Sequence, residues 1–178
     1  MNPVTTLLAL FEFLLTALLA LAVVYVNYRL FIATNRDYDA EVEMKKDNLG
    51  AAALLAGMLV GGGLIVREGI VPVASLVRLY VSAPLPYLNA WQVAGLVAGH
   101  LGLVFVVAIY TISLSLRFWG WLTPHIDEGA ELGRGNISVG MVLGAVVLMV
   151  SLFVSDGVSR LTKSLVPQPS MGHVQIER

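Results

Sequence analysis

Residues 91–116, WQVAGLVAGHLGLVFVVAIYTISLSL, decide the fold, because this apolar run is long enough to cross a bilayer as one helix. His100 is its one ionisable interruption. Aromatic residues stand at both ends, Trp91 at the start and Phe118–Trp119 after Arg117, where lipid headgroups are expected. The run predicts a transmembrane helix.

The composition of the whole chain is also more apolar and less charged than that of a soluble protein. Of its 178 residues, 57% are hydrophobic and 13% charged, with a mean hydropathy of +0.81. Soluble domains are roughly 45–50% apolar and about 25% charged. The absence of cysteine excludes disulfide scaffolds and cysteine-ligated metals, and a net charge of −1 excludes a polybasic binder of nucleic acid.

Three further apolar runs predict three more spans: Thr5 to Phe31, Asn48 to Val66, and Ile137 to Val154. The first is expected to stay in the protein, because it lacks the basic start and short apolar core of a signal peptide. Residues 71–89 carry three prolines and predict an interfacial amphipathic connection. Residues 159–178 predict an amphipathic exit and a flexible tail.

When the sequence is aligned with itself at an offset of 88 residues, charged, polar and glycine residues around the ends of its apolar runs coincide. The aligned pairs are Arg29 with Arg117, Asp39 with Asp127, Glu43 with Glu131, Lys46 with Arg134, Asn48 with Asn136, and Gly69 with Gly157. The sequence therefore predicts an all-α integral membrane protein with four transmembrane helices in two parallel two-helix repeats, residues 1–70 and 90–158. Parallel repeats are normally related by a pseudo-twofold axis along the membrane normal.

The duplicated loops, each with a Glu, then an Asn and a helix of small residues, carry a resemblance. Glu43 leads to Asn48-Leu49-Gly50-Ala51, and Glu131 leads to Asn136-Ile137-Ser138-Val139. In this the chain resembles the YjfL-like bacterial inner-membrane protein family, a domain of unknown function (350). The resemblance implies a multi-pass protein of the bacterial cytoplasmic membrane and supplies no activity.

The same shift pairs Glu12 with His100, which are ionisable residues well inside the first and third predicted spans. A charge at that depth costs about 2.5–3.5 kcal/mol on insertion scales, so each residue needs a partner. One hypothesis is that they meet as a proton-exchanging pair or polar gate. The alternative is a hydrogen-bonded staple between helices.

The loop acids Asp39 and Glu43, like Asp127 and Glu131, are spaced i, i+4, which places both carboxylates on one face if the loop is helical. Asn48 and Asn136 are positioned to cap the helices that follow. The acids can attract a cation or polyamine, bind Arg and Lys of a cytoplasmic partner, or form solvated turns beside their own basic neighbours.

Glycines at spacings of four predict close helix packing, and the run Gly61-Gly62-Gly63 leaves a groove that another helix, a lipid chain or a pore lumen could fill. The glycines spaced by four are Gly57 and Gly61, Gly95 and Gly99, and Gly140 and Gly144. No metal-ligand spacing and no nucleophile with a base can be recognised, so we expect no metal, no cofactor and no enzyme.

Two functions follow from these patterns. The first is a channel or transporter-like component for protons or small cations that uses Glu12 and His100. The second is a non-catalytic membrane scaffold or accessory subunit of a larger complex. In both cases we expect the lipid bilayer as a partner, together with a homo-oligomer or a membrane complex. The uncharged first residues favour an outside N-terminus and loops in the cytoplasm.

Overall fold

The computed structural model describes residues 3–34, 40–82 and 89–165, and every regular element in these ranges is a helix. The six helices are α1 (Pro3–Thr34), α2 (Ala40–Lys45), α3 (Leu49–Ser82), α4 (Ala90–Leu122), α5 (Glu128–Gly133) and α6 (Ile137–Leu165). Four of them, α1, α3, α4 and α6, are long and apolar enough to cross a membrane. The prediction of an all-α membrane protein with four spans is confirmed.

The spanning helices are longer than the apolar runs from which they were predicted. They contain 32, 34, 33 and 29 residues. At 1.5 Å per residue they are about 44–51 Å long, against a hydrocarbon core of roughly 30 Å. Helix α3 continues through Pro72, so the first part of the connection expected at residues 71–89 belongs to the same helix as the second span. Neighbouring groups in a bundle can tolerate such a proline.

Helices α3 and α6 form the centre of the molecule and run parallel to each other. Their contact follows glycines from the loop side upward: Gly50 abuts Gly140, then Gly57 abuts Gly144, and Gly61 lies against Ser151. Helix α1 packs on α3, whereas α4 packs on both α3 and α6.

The main apolar core lies near the loop side and takes its members from all four spanning helices and α5. Its buried members are Phe31, Ala51, Leu54, Met58, Ile112, Leu132, Leu143 and Val147. A second cluster joins all four spanning helices nearer the other end, through Val23, Ile65, Val66, Val104, Ala108 and Val158. Leu132 of α5 belongs to the first cluster, so the second loop is anchored on this core.

The two central helices meet through different faces, which contradicts the expected pseudo-twofold packing. The front face of α3, defined by Gly50, Leu54, Gly57 and Gly61, is buried against the back face of α6, defined by Gly140, Gly144, Val147 and Ser151. A twofold axis would bury equal positions of both helices. Yet the residues 88 positions after the front face are all exposed: Ser138, Val142, Ala145 and Met149. Similar sequences in two helices do not determine the rotation that relates the helices.

Candidate functional site

The first loop ends in a hydrogen-bonded cap at the start of α3. The Glu43 carboxylate accepts from Lys46 Nζ at 2.9 Å and from Asn48 Nδ2 at 3.2 Å. Asn48 Oδ1 in turn accepts from the backbone N–H of Ala51 at 2.9 Å, the role of an N-cap. Between them Asp47 turns the chain with φ 57°, a left-handed conformation that Asp tolerates better than most residues.

The second loop makes the same set of bonds 88 residues later. The Glu131 carboxylate accepts from Arg134 Nη1 at 2.6 Å and from Asn136 Nδ2 at 2.8 Å. Asn136 Oδ1 accepts from the backbone N–H of Val139 at 3.3 Å. The turn residue is Gly135 with φ 79°. The predicted capping roles of Asn48 and Asn136 therefore correspond to the bonds that both side chains make.

A buried hydrogen bond joins the two loops into one surface, the loop face. Asn48 Nδ2 donates to the backbone carbonyl of Leu132 at 2.6 Å. A Cβ added to Gly50 would lie 2.6 Å from the backbone oxygen of Asn136, so the helix starts touch backbone to backbone. The position and the spacing of both helix N-termini are thereby fixed.

Between the two loops lies a cleft of about 310 Å³. Glu43, Lys46 and Leu49 line it from the first loop and the start of α3, and Arg134 and Ile137 line it from the second loop and the start of α6. Leu49 is 59% exposed and Ile137 44%, and each is the first residue of its helix. The cleft therefore combines paired charges with exposed apolar surface.

Glu131 is held in its ionised form. Hydrogen bonds from Asn136 and then from Arg134 lower the pKa of this carboxyl below its ordinary value. The positive ends of the helix dipoles at this face also favour a negative charge. At neutral pH this acid is a fixed anion with a basic partner.

The expected acidic face is only partly present. Asp127 is the N-cap of α5, and its carboxylate accepts from the backbone N–H of Ala130 at 3.0 Å. It therefore serves the loop's own structure. Asp39, the corresponding acid of the first loop, lies outside the described residues.

On the outside of the bundle, between α1 and α3, Glu12 pairs with a residue that the sequence did not suggest. Arg78 of α3 donates to both of its carboxylate oxygens, through Nε and, at 2.6 Å, through Nη2. Such a bidentate pair is the strongest geometry for an Arg and a carboxylate. The pairing of Glu12 with His100 is not found, since no hydrogen bond joins them within the described ranges. The reason is that α3 continues past Pro72 and carries Arg78 to α1.

His100 lies instead between α4 and α3. Its side chain is buried and faces the backbone at Gly69, and its Nε2 has no hydrogen-bond partner among the described residues. The neighbouring turn of α4 packs Val104 against the same glycine. His100 is thus held against α3, with one ring nitrogen unpaired.

Two further buried polar residues were not singled out by the sequence. Within the part of the chain that the structure describes, Asn27 Oδ1 and Ser151 Oγ have no hydrogen-bond partner. Asn27 lies against Gly62 and Ser151 against Gly61, so they flank α3 from two sides at one level. An Asn inside an apolar run was a usable signal, but a lone Ser in a span is too common to stand out.

The predicted packing glycines divide into two groups. Gly57, Gly61, Gly140 and Gly144 lie at the α3–α6 contact, where a Cβ would collide with the facing helix. Gly95 and Gly99 of α4 have no atom within 4 Å of such a Cβ. In the described ranges no group of three or more His, Asp or Glu side chains could hold a metal ion.

Comparison with known proteins gives a family and no activity. The family model described as Domain of Unknown Function (DUF350) matches residues 4–159. No curated protein and no solved structure matches the chain.

Proposed function

This chain belongs to the DUF350 family, and we propose that it is a non-catalytic scaffold or accessory subunit of a complex in the bacterial inner membrane. Its loop face would dock a polypeptide segment of a partner on the cytoplasmic side. The bilayer surrounds the four spans, and no cofactor takes part.

The mixed chemistry of the loop cleft carries this proposal. A cation-attracting vestibule needs unpaired carboxylates, but Glu43 and Glu131 each have a basic partner within 2.9 Å. Protein interfaces combine an apolar centre with a polar rim. Leu49 and Ile137 supply exposed apolar surface in the same cleft as the Glu43–Lys46 pair and Arg134.

The experiment removes that apolar surface and leaves the caps intact. Leu49→Asn combined with Ile137→Asn is compared with Trp91→Asn, a matched control at an 86% exposed residue at the start of α4. The proteins are extracted with their native lipid in polymer nanodiscs, and co-purifying polypeptides are quantified by mass spectrometry. We expect one polypeptide at a fixed ratio with the unmodified chain and the control, and its loss from the loop variant. A partner that the loop variant retains equally, or no partner at fixed ratio, would contradict the proposal.

A second candidate, transport of protons or small cations, rests on a different observation. Asn27, His100 and Ser151 each place an unpaired polar atom against α3, and unsatisfied polar groups in a membrane interior are costly and often functional. Against it, Glu12 is neutralised by Arg78 and cannot exchange protons freely while that pair holds.

Proton flux into liposomes distinguishes the two candidates. Transport predicts flux through the purified protein that falls with His100→Ala and persists with Gly99→Ala, a neighbouring change into open space. A scaffold predicts no flux above that of protein-free liposomes.

A further inference from the structure

An apolar groove of about 320 Å³ lies open between α1 and α3. We call it the back groove. Its lining includes Thr16, Ala20 and Val24 of α1 with Leu59, Gly63 and Ile70 of α3. The three α1 residues are exposed, and a Cβ on Gly63 would meet nothing within 4 Å.

The residues 88 positions after the lining of the back groove form a second groove, which a helix of the same chain fills. It lies between α4 and α6, and its residues are Val104, Ala108, Ile112, Val147, Ser151 and Val158, all buried. The occupant is helix α3: Gly61 packs on Val147 and Ser151, and Ile65 belongs to the cluster of Val104, Ala108 and Val158. The molecule thus contains one filled example of the back groove.

The surface that could fill the back groove is also present and uncovered. The residues 88 positions after the front face of α3 and Ile65 lie on α6 and are all exposed: Ser138, Val142, Ala145, Met149 and Phe153. Phe153 is 77% exposed, whereas its counterpart Ile65 is completely buried. Gly157, the counterpart of the glycine that receives Val104, has open space above it.

We infer that the back groove of one copy receives helix α6 of a second copy, as the groove between α4 and α6 receives α3. In this contact the larger side chain is on the inserted helix and the glycine is in the groove, the reverse of the contact inside the chain. Inside the chain Gly61 of α3 faces Ser151 of α6. In the contact between copies, Met149 of one copy takes the place of Gly61, and Gly63 of the other copy takes the place of Ser151. The long side chain of Met149 enters the space that Gly63 leaves open.

The charges at one end of this contact are complementary. Asp156 stands seven residues after Met149 on α6, and Arg67 stands four residues after Gly63 on the wall of the groove. Both follow in the direction away from the loops, because the helices run parallel. Neither belongs to an ion pair within the described chain.

The contact uses a different surface on each partner, so it is heterologous. Such contacts close into rings when the rotation permits and otherwise extend as rows. All copies keep one orientation in the membrane. This assembly goes beyond the proposed function and does not depend on what the loop face binds, since it uses only membrane-spanning surfaces.

Cysteine cross-linking in native membranes tests the inference, because the chain has no cysteine of its own. Met149→Cys and Gly63→Cys are placed on separate, differently tagged chains that are expressed together. A second pair, Ala145→Cys with Ala56→Cys, repeats the test at the counterparts of Gly57 and Gly144. Met141→Cys replaces Met149→Cys as control, since Met141 is 61% exposed but lies eight residues, about 12 Å, nearer the loop end of α6.

The inference predicts a disulfide-linked dimer carrying both tags for each pair, and a ladder of higher species when both cysteines are on one chain. Either cysteine alone gives no dimer, because the partners use unlike surfaces. Arg67→Asp in the Gly63→Cys chain lowers the yield of dimer by several-fold, and Asp156→Arg in the Met149→Cys chain restores it. Absence of the dimer for both pairs, or equal yield with Met141→Cys, would overturn the inference. Loss of a loop-side partner with the cross-link intact would count against the proposed function alone.

Discussion

At the scale of single residues, the ion pair of Glu12 and Arg78 is the feature that most changes the functional interpretation. A carboxylate alone in a span favours its protonated form, whereas a bidentate guanidinium keeps it ionised and in place. The pair connects α1, the least buried spanning helix, to α3. We therefore interpret Glu12 as a helix anchor.

This role predicts a non-additive mutant series. Arg78→Gln leaves the Glu12 carboxylate unpaired and should lower the thermal unfolding temperature in detergent. Glu12→Gln added to Arg78→Gln should recover part of the loss, because the remaining groups are neutral. Equal and additive effects of the two changes would show that the pair does not stabilise the protein.

The Glu131 carboxyl predicts an acid-sensitive loop. Its folded-state pKa is lower than the ordinary value of about 4.3, so its bonds stabilise the fold above that pH and are lost as pH falls through the lowered pKa. Thermal unfolding between pH 6 and pH 3 should show a smaller acid-induced decrease for Glu131→Gln than for the unmodified protein. Glu68→Gln, on α3 far from the loops, is the control. An unchanged decrease in Glu131→Gln would contradict this role.

At the scale of elements, the α3–α6 contact depends on glycine at a few positions. A Cβ on Gly140 would collide with the backbone oxygen of Gly50, and a rigid helix backbone cannot move aside locally. Gly140→Ala should therefore destabilise the protein by about 1–3 kcal/mol, as overpacking does.

The control is Gly99→Ala on α4, where a Cβ meets open space. It should be neutral or stabilising by up to about 1 kcal/mol, because Ala favours helix over Gly. Reversible unfolding in detergent measures both changes. Similar stabilities for the two variants would contradict the close contact at Gly140.

The elements themselves were largely predictable from the sequence. Apolar runs long enough to span a bilayer, and Asn residues before them, indicate helices and caps by local physics. The extent of α3 was not predictable, because Pro72, Arg67 and Glu68 together are typical of a helix end. Packing against the rest of the bundle keeps the helix intact there. Arg78 lies on this extension of α3, so the partner of Glu12 could not be predicted either.

At the scale of the whole molecule, the relation between the two halves could not be read from the sequence. The 88-residue correspondence is a prediction of the sequence, and the equal bonds of the two loops support it. It identifies similar pieces but contains no information about the rotation between them. That rotation depends on which face of each helix loses most solvent-exposed or lipid-exposed surface, a property of the assembled bundle.

The unlike faces of α3 and α6 have a consequence for the whole protein. A twofold arrangement would bury the equivalent surfaces of both helices in one contact. The observed arrangement leaves exposed the surface of α6 that is equivalent to the front face of α3, and it leaves the back groove between α1 and α3 open. The same geometry that forms the core of the chain thereby provides both sides of a contact between copies.

The most direct test of this account is an intrachain disulfide that reports which face of α6 meets Gly61. The cysteine-free chain is given Gly61→Cys with Ser151→Cys, or Gly61→Cys with Met149→Cys, and intrachain disulfide is measured by intact mass after mild oxidation. A Cβ on Gly61 lies 3.2 Å from that of Ser151, so the account predicts bond formation in the first protein and none in the second. Bond formation in the second protein and not in the first would mean that equal positions face each other, and it would contradict the account.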